Sequence, residues 1–405
     1  MTGGSDTDPW VGRFAARTAS LNASEVRALF AVASRPEVVS LAGGMPFVSA
    51  LPMDLVSQAV ERTLRDRGAE ALQYGSGQGD AELREHIVEV MALEGIRADA
   101  NDVVVTTGSQ HALELLAKLL LDPGDIVLAE GPTYVTALVV FRSFQAEVRH
   151  VAMDDHGMIP ASLRERVAEL AAQGRTPKIL YTVPTFNNPA GVTLSSARRD
   201  EILAIAEEYT ILVVEDNPYG LLYFDSPPPN PLRSAESDNV VYLGTFSKTL
   251  APGMRVGWAL APPIIREKLI LANEAAILSP SSFTQLVVSD YLSTADWQGQ
   301  IAAFRAVYRE RRDALLAALD EHVPRLSWTI PAGGFYVWLT LPDGVDARAM
   351  LPRAVDQLVA YTPGTAFYAD GGGTNKIRLS YSYPTPEFIR EGIRRLASVI
   401  ESEEG

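Results

Sequence analysis

The sequence predicts an α/β fold: a mainly parallel central sheet, followed by a smaller α+β unit toward the C-terminus. Three observations carry this. Between residues 102 and 260, short β-branched apolar runs alternate with amphipathic stretches of helical length, the pattern of a sheet covered on both faces. Beyond about residue 275 helical periodicity dominates, with brief strand signals near Trp328, over 335–339 and over 376–381. Finally, 405 residues exceed what one small core organises, so two closely packed units are expected. They divide as an N-terminal arm over 1–44 packing with the small domain, a large domain over 45–275 and a small C-terminal domain over 276–405.

Taken in order, residues 1–20 are small and polar, as befits a loose arm. Ser24 caps a short helix over 25–30, and Val38, Val39 and Leu41 form a brief strand that runs into the turn Gly43-Gly44. Gly75, Gly77 and Gly79 superficially suggest a dinucleotide-binding turn, but Glu70-Ala71-Leu72-Gln73 before them is no apolar strand and the spacing is wrong. Asp80 instead caps a helix that starts at Ala81. Strands are expected over 103–106, 126–129, 146–152, 178–183, 211–214 and 240–243, with helices over 110–121, 134–144, 161–173 and 195–209 between them. A long helix over 296–322 keeps Ile301, Phe304, Tyr308, Leu315 and Leu319 on one face.

Composition narrows the function. The chain is 47% hydrophobic and 21% charged, with no low-complexity tract, as globular proteins are. Its 35 basic residues against 50 acidic ones give a net charge of −15, which argues against a nucleic-acid partner. With no cysteine there are no disulfides, thiolate metal sites or thiol nucleophile. The start MTGGSDTDPW has no targeting signature and no apolar run is of membrane length, so a cytoplasmic protein without membrane contact is expected. Five histidines lie scattered without metal-ligand spacing, and no metal site is expected.

The chemistry centres on 240–260, VVYLGTFSKTLAPGMRVGWAL. Lys248 sits in a polar turn between two apolar runs, beside Thr245 and Ser247 and near Arg255. Burial and a neighbouring cation both lower a lysine's pKa and make its amine nucleophilic enough for Schiff-base chemistry. Thr107-Gly108-Ser109-Gln110, between a strand and a helix, offers free amides and a helix N-terminus to an anion.

The segment GTFSKTLAPGMRVGW resembles the cofactor-lysine motif of the class I/II aminotransferases, which share the fold type I architecture of pyridoxal-phosphate-dependent transferases. The similarity is greatest to the α-aminoadipate/kynurenine aminotransferase branch and runs from about Asn22 to the C-terminal helix, with the motifs in the family's order. It implies an enzyme with pyridoxal 5'-phosphate as cofactor, moving an amino group between an L-amino acid and a 2-oxo acid. Lys248 would hold the cofactor as an imine and act as general acid and base. The phosphate would rest on Ser109, Gln110, Thr245, Ser247 and Arg255, and Asp216 would bond the pyridine nitrogen, keeping the ring an electron sink.

By the same resemblance, Tyr219 and Asn188 would reach the phenolic oxygen and Tyr134 would stack on the ring. The asparagine turn Phe186-Asn187-Asn188-Pro189-Ala190-Gly191 departs from the family pattern at Ala190, where threonine is common, and at Thr185, where asparagine is. Arg378, flanked by apolar residues in a strand, would bind the substrate α-carboxylate, against the Gly43-Gly44 turn and Asn188. Arg27 matches an arginine that meets substrate side chains in the aminoadipate branch. The family implies a homodimer with shared active sites, Tyr74 reaching the partner's phosphate. Fold alone leaves a decarboxylase, racemase or lyase open. A ligand sensor related to regulators that fuse such a domain to a DNA-binding module is disfavoured by the charge and by the forty or so residues before Gly43.

Overall fold

The computed structural model describes residues 9–20, 35 and 37–404. The helix expected after Ser24 lies outside them, as does Arg27. The strands are β1 (Val39–Ser40), β2 (Val103–Thr106), β3 (Ile126–Gly131), β4 (Glu147–Asp154), β5 (Gly157–Met158), β6 (Pro177–Thr182) and β7 (Leu212–Asp216). After them come β8 (Val240–Thr245), β9 (Gly257–Leu260), β10 (Ser327–Trp328), β11 (Tyr336–Thr340), β12 (Val359–Ala360), β13 (Thr362–Pro363) and β14 (Lys376–Ser380).

Eight strands form the main sheet in the order β2-β9-β8-β7-β6-β3-β4-β5. The pairs from β8 through β7, β6 and β3 to β4 are parallel, while β9 runs antiparallel to both neighbours and β5 closes the far edge as a hairpin. Alternation places successive side chains on opposite faces. Val127, Ala129, Val214 and Val241 pack on one side with helices Ser109–Leu120 and Val135–Ser143. Ile126, Leu128, Val213 and Val240 pack on the other with helices Pro160–Ala172 and Ser196–Glu208. A sheet buried on both faces explains why its strands read as unbroken apolar runs.

The second sheet, β10-β11-β14-β13, is antiparallel throughout, and β1 pairs parallel with β12. Its residues Val337, Leu339, Ile377 and Leu379 share one core with Val105, Tyr242 and Trp258 of the main sheet, so the change of pattern near residue 275 is not a break in packing. The chain's early segment divides: Ala16–Ser20 lies against helix Val135–Ser143, whereas Val39–Ser40 joins β12. The long helix Trp297–His322 starts where expected, with Asp296 accepting from Gly299 N at 2.9 Å. Asp80 likewise caps helix Ala81–Ala92 through Leu83 N. Helix Met53–Ala71 has no counterpart in the sequence reading, because it buries only Ala59, Thr63 and Ala71 and so presents no apolar stripe.

Candidate active site

In parallel sheets, ligands collect beyond the carboxyl ends of the strands, and here five strand ends converge on one cleft. Ser109 and Gln110 follow β2, Tyr134 follows β3, Asn188 follows β6, Asp216 ends β7, and Lys248 lies in the turn after β8. Arg378 enters from the second sheet, where β14 pairs it with Trp338 and Thr362. The cavity between them is about 290 Å³.

Lys248 Nζ donates to Gly44 O at 3.2 Å and lies 5.9 Å from the centre of the Phe335 ring. Its pKa is lowered, first by burial and further by the nearby Arg378 and Arg255 charges, against the opposing pull of Tyr336 and Asp216. Gly44 lets the Tyr336 hydroxyl come close: a Cβ here would stand 1.8 Å from it, so the tyrosine would have to move.

Asp216 is buried and accepts from Tyr181 Oη at 2.8 Å through Oδ2, while Oδ1 has no partner. Burial pushes its pKa up to about 6, with Tyr181 and the Lys248 charge opposing. A buried carboxylate oxygen without a donor is costly unless a ligand supplies one.

At the other end of the cleft Gly108 adopts φ +84°, a left-handed conformation open to glycine, and delivers the chain into the first turn of helix Ser109–Leu120. The Arg255 guanidinium lies against this turn, Nη2 donating to Thr107 O at 3.0 Å. The Thr245 hydroxyl stands 2.9 Å from that of Ser247, on the same side. Free helix amides, two hydroxyls and an arginine form a site for a dianion.

Arg378 is 4% exposed, and the hydrogen-bond partners of its guanidinium are amide, carbonyl and hydroxyl oxygens rather than a carboxylate. Nη1 donates to Asn188 Oδ1 at 2.8 Å, Nη2 to Ala42 O at 2.6 Å, and Nε has no partner. Tyr336 and Phe367 flank the guanidinium at 4.2 and 4.9 Å. Tyr219 Oη lies 3.5 Å from Tyr336 Oη, on the same wall.

The structure thus brings Gly44, Ser109, Gln110, Tyr134, Asn188 and Asp216 together with Tyr219, Thr245, Ser247, Lys248, Arg255 and Arg378. It does not bring in Tyr74, which is 77% exposed and outside the cleft of its own chain. Tyr336, Met45 and Tyr181 belong to the site or support it and were missed in the sequence. Tyr336 and Tyr181 sit in apolar strand runs, where a tyrosine reads as core; nothing local marks Met45.

A donorless carboxylate oxygen, a lysine with lowered pKa and an anion cradle in one cleft fit the chemistry of a phosphorylated pyridine aldehyde. The family model for aminotransferase class I and II matches residues 38–396, and the chain belongs to that family. It is a pyridoxal-phosphate-dependent aminotransferase, with an amino acid and a 2-oxo acid as substrates.

The aromatic-amino-acid aminotransferase 1 of Thermococcus litoralis is 40% identical over 393 residues, 96% of this chain and 94% of that one. The 2-aminoadipate transaminase of Thermus thermophilus is 36% identical over 397 residues, 97% of each. Among solved structures, a Pyrococcus horikoshii kynurenine aminotransferase superposes with a TM-score of 0.93 at 40% identity, covering 98% of both chains. No helix of the described residues is long and apolar enough to cross a membrane.

Proposed function

We propose that this cleft is where transamination occurs, on amino acids with aromatic or long acidic side chains. The observation that carries it is the convergence of Lys248 Nζ, the donorless Oδ1 of Asp216 and the guanidinium of Arg378 in a single cavity. Pyridoxal phosphate, when bound, supplies the electrophilic carbon and the electron sink for the reaction. Asp216 would offer its open oxygen to the ring nitrogen, and Asn188 and Tyr219 would serve the phenolic oxygen. The phosphate would be held by Ser109, Gln110, Thr245, Ser247 and Arg255, and Tyr134 would pack against the ring.

Arg378 orients the substrate by its carboxylate. Lys248 Nζ takes and returns the proton at the substrate α-carbon; burial lowers its pKa, which favours the free amine over the ammonium. Gly44 O holds that amine in place between the two sheets.

The side-chain preference follows the named activities of the relatives, and Arg27, outside the described residues, is proposed to meet the side chain. A screen of amino donors with 2-oxoglutarate, read by the loss of the lysine-bound cofactor's absorbance, tests it. Aromatic amino acids and 2-aminoadipate should turn over fastest; preference for small aliphatic donors would sink the specificity reading. The same reading divides the chain into an arm over 1–44, a large domain over 45–275 and a small domain over 276–405, in the cytoplasm.

We further propose a homodimer with shared sites. Leu72 and Tyr74 are each 77% exposed, and Gly75 N donates to Ser279 Oγ, which ties this loop to the segment carrying exposed Ile277 and Leu278. A twofold contact there would carry Tyr74 to the partner's phosphate site. Mixing Lys248→Ala with Tyr74→Ala should then restore about a quarter of the sites, because half of randomly reassorted dimers are mixed and each gathers both defects in one site. Lys248→Ala with Asp216→Ala should restore none. No recovery in the first mixture, with exchange demonstrated, would return Tyr74 to its own subunit.

A further inference from the structure

Glu130, near the end of β3, is 1% exposed and takes three hydrogen bonds from the segment that leads to Asn188. Thr182 Oγ1 donates to Oε1 at 2.7 Å, and Val183 N and Asn187 Nδ2 both donate to Oε2 at 2.9 Å. Asn187 is itself the knot of the next turn. Its Oδ1 accepts from Ala190 N at 2.9 Å, its N donates to Val192 O at 2.8 Å, and its O accepts from Gly191 N at 2.7 Å. Inside that closed turn stands Asn188, whose Oδ1 receives Arg378 Nη1. A continuous chain of contacts therefore runs from Glu130 through Asn187 and its turn to Asn188 and the arginine.

We propose that Glu130 is a positioning residue for the substrate carboxylate: it fixes the turn over 187–191 so that Asn188 sets the plane of the Arg378 guanidinium. This rests on the reading of Arg378 given under Proposed function. Three donors meeting on two oxygens call for a carboxyl group, which has lone pairs for all of them; alanine would leave the buried Val183 N–H without an acceptor and Asn187 Nδ2 with Val183 O alone, at 3.3 Å. Arg199 holds the same segment from the opposite side, donating to Pro184 O, Thr185 Oγ1 and Leu194 O, and its charge opposes the cost of burying Glu130. Burial still raises the Glu130 pKa to about 7, in keeping with a site closed to water. The contrasting account is a polar plug that merely fills the end of the sheet.

Binding of 3-phenylpropanoate, a carboxylate with no amino group, separates the two when measured by calorimetry on the cofactor-loaded enzyme. Glu130→Ala should weaken it about tenfold and raise KM for amino acid and 2-oxo acid alike by a similar factor. Cofactor affinity should hold, because the phosphate cradle and Asp216 are untouched, and kcat should change far less than KM. Glu130→Gln should restore binding: its oxygen keeps Val183 and Asn187, and the Thr182 hydroxyl turns to accept from its NH2.

In the double variant with Arg378→Ala, loss of Glu130 should add nothing, because both act through one guanidinium. Full additivity of the two losses, or unchanged 3-phenylpropanoate binding in Glu130→Ala, overturns the proposal. Unchanged binding in Arg378→Ala instead overturns the reading of the cleft on which it rests. Should Glu130→Ala not fold, Asn187→Ala cuts the link one member later, leaves Glu130 satisfied by Thr182 and Val183, and is judged by the same comparison.

Discussion

Lys248→Ala should leave a folded protein that has lost at least about a thousandfold in transamination rate, the size expected when a covalent and acid–base group is removed. The fold should survive because the lysine contributes little to it. Among the described residues its amine makes one hydrogen bond, to Gly44 O, and that carbonyl faces the cleft, where water can replace the amine. The phosphate cradle at Gly108 and Arg255 and the open oxygen of Asp216 are untouched, so the variant should still take up cofactor. What it cannot do is move the α-proton, since the nearest other cations, Arg378 and Arg255, do not deprotonate. Single-turnover kinetics and the visible spectrum decide it: the lysine-bound absorbance should vanish and the first turnover stall. Normal turnover would remove Lys248 from the reaction.

Arg378→Ala should raise apparent KM for every amino acid and every 2-oxo acid alike, a loss of about 2–5 kcal/mol of charge pairing. The uniformity follows from the geometry. The guanidinium is buried, flanked by Tyr336 and Phe367, and pinned through Nη1 and Nη2 to Asn188 and Ala42, so it offers one fixed fork to whatever carboxylate arrives. That fork touches the part common to all substrates, and the ranking of side chains should not change. Arg378→Lys should recover little, because an ammonium keeps the charge without the planar pair of donors. The variant also strips donors from Asn188 Oδ1 and Ala42 O, at about 1–3 kcal/mol of stability; thermal melting measures that loss separately. An effect confined to one class of amino acid would show that Arg378 reads side chains instead.

Much of this was legible in the sequence, for identifiable reasons. Strands buried on both faces must be continuously apolar, so β2, β3, β6, β7 and β8 announced themselves, and the turns after them held the chemistry. Lys248 stood out in a polar turn between two apolar runs, Asp216 at the end of an apolar strand, and Arg378 as a charge flanked by apolar residues, and the resemblance gave each its role. What stayed hidden depends on partners far along the chain. Glu130 carries no local signal in the sequence, since its donors come from residues 182–187. Tyr181 read as core because its hydroxyl meets Asp216 only across two paired strands. The antiparallel course of β9 was equally invisible, because an apolar run carries no direction.

The pairing of β1 with β12 bears on how the molecule is made. Val39 N donates to Leu358 O, Leu41 N to Ala360 O, and Ser380 N to Leu41 O, so a segment near the start of the chain is tied to strands near its end. On a ribosome, the residues from β2 to β9 emerge before β10 to β14 and can assemble their own sheet, as units of this kind commonly do during synthesis. The segment around Gly44 must wait for more than three hundred further residues before its partners exist. A chain stalled once β9 has cleared the ribosome, before β14 is made, would therefore present Lys248, Asp216 and the Gly108 turn without Arg378. The half of the cleft that holds a cofactor would be built before the half that holds a substrate, and the order of translation would keep the two from being combined until the chain is whole.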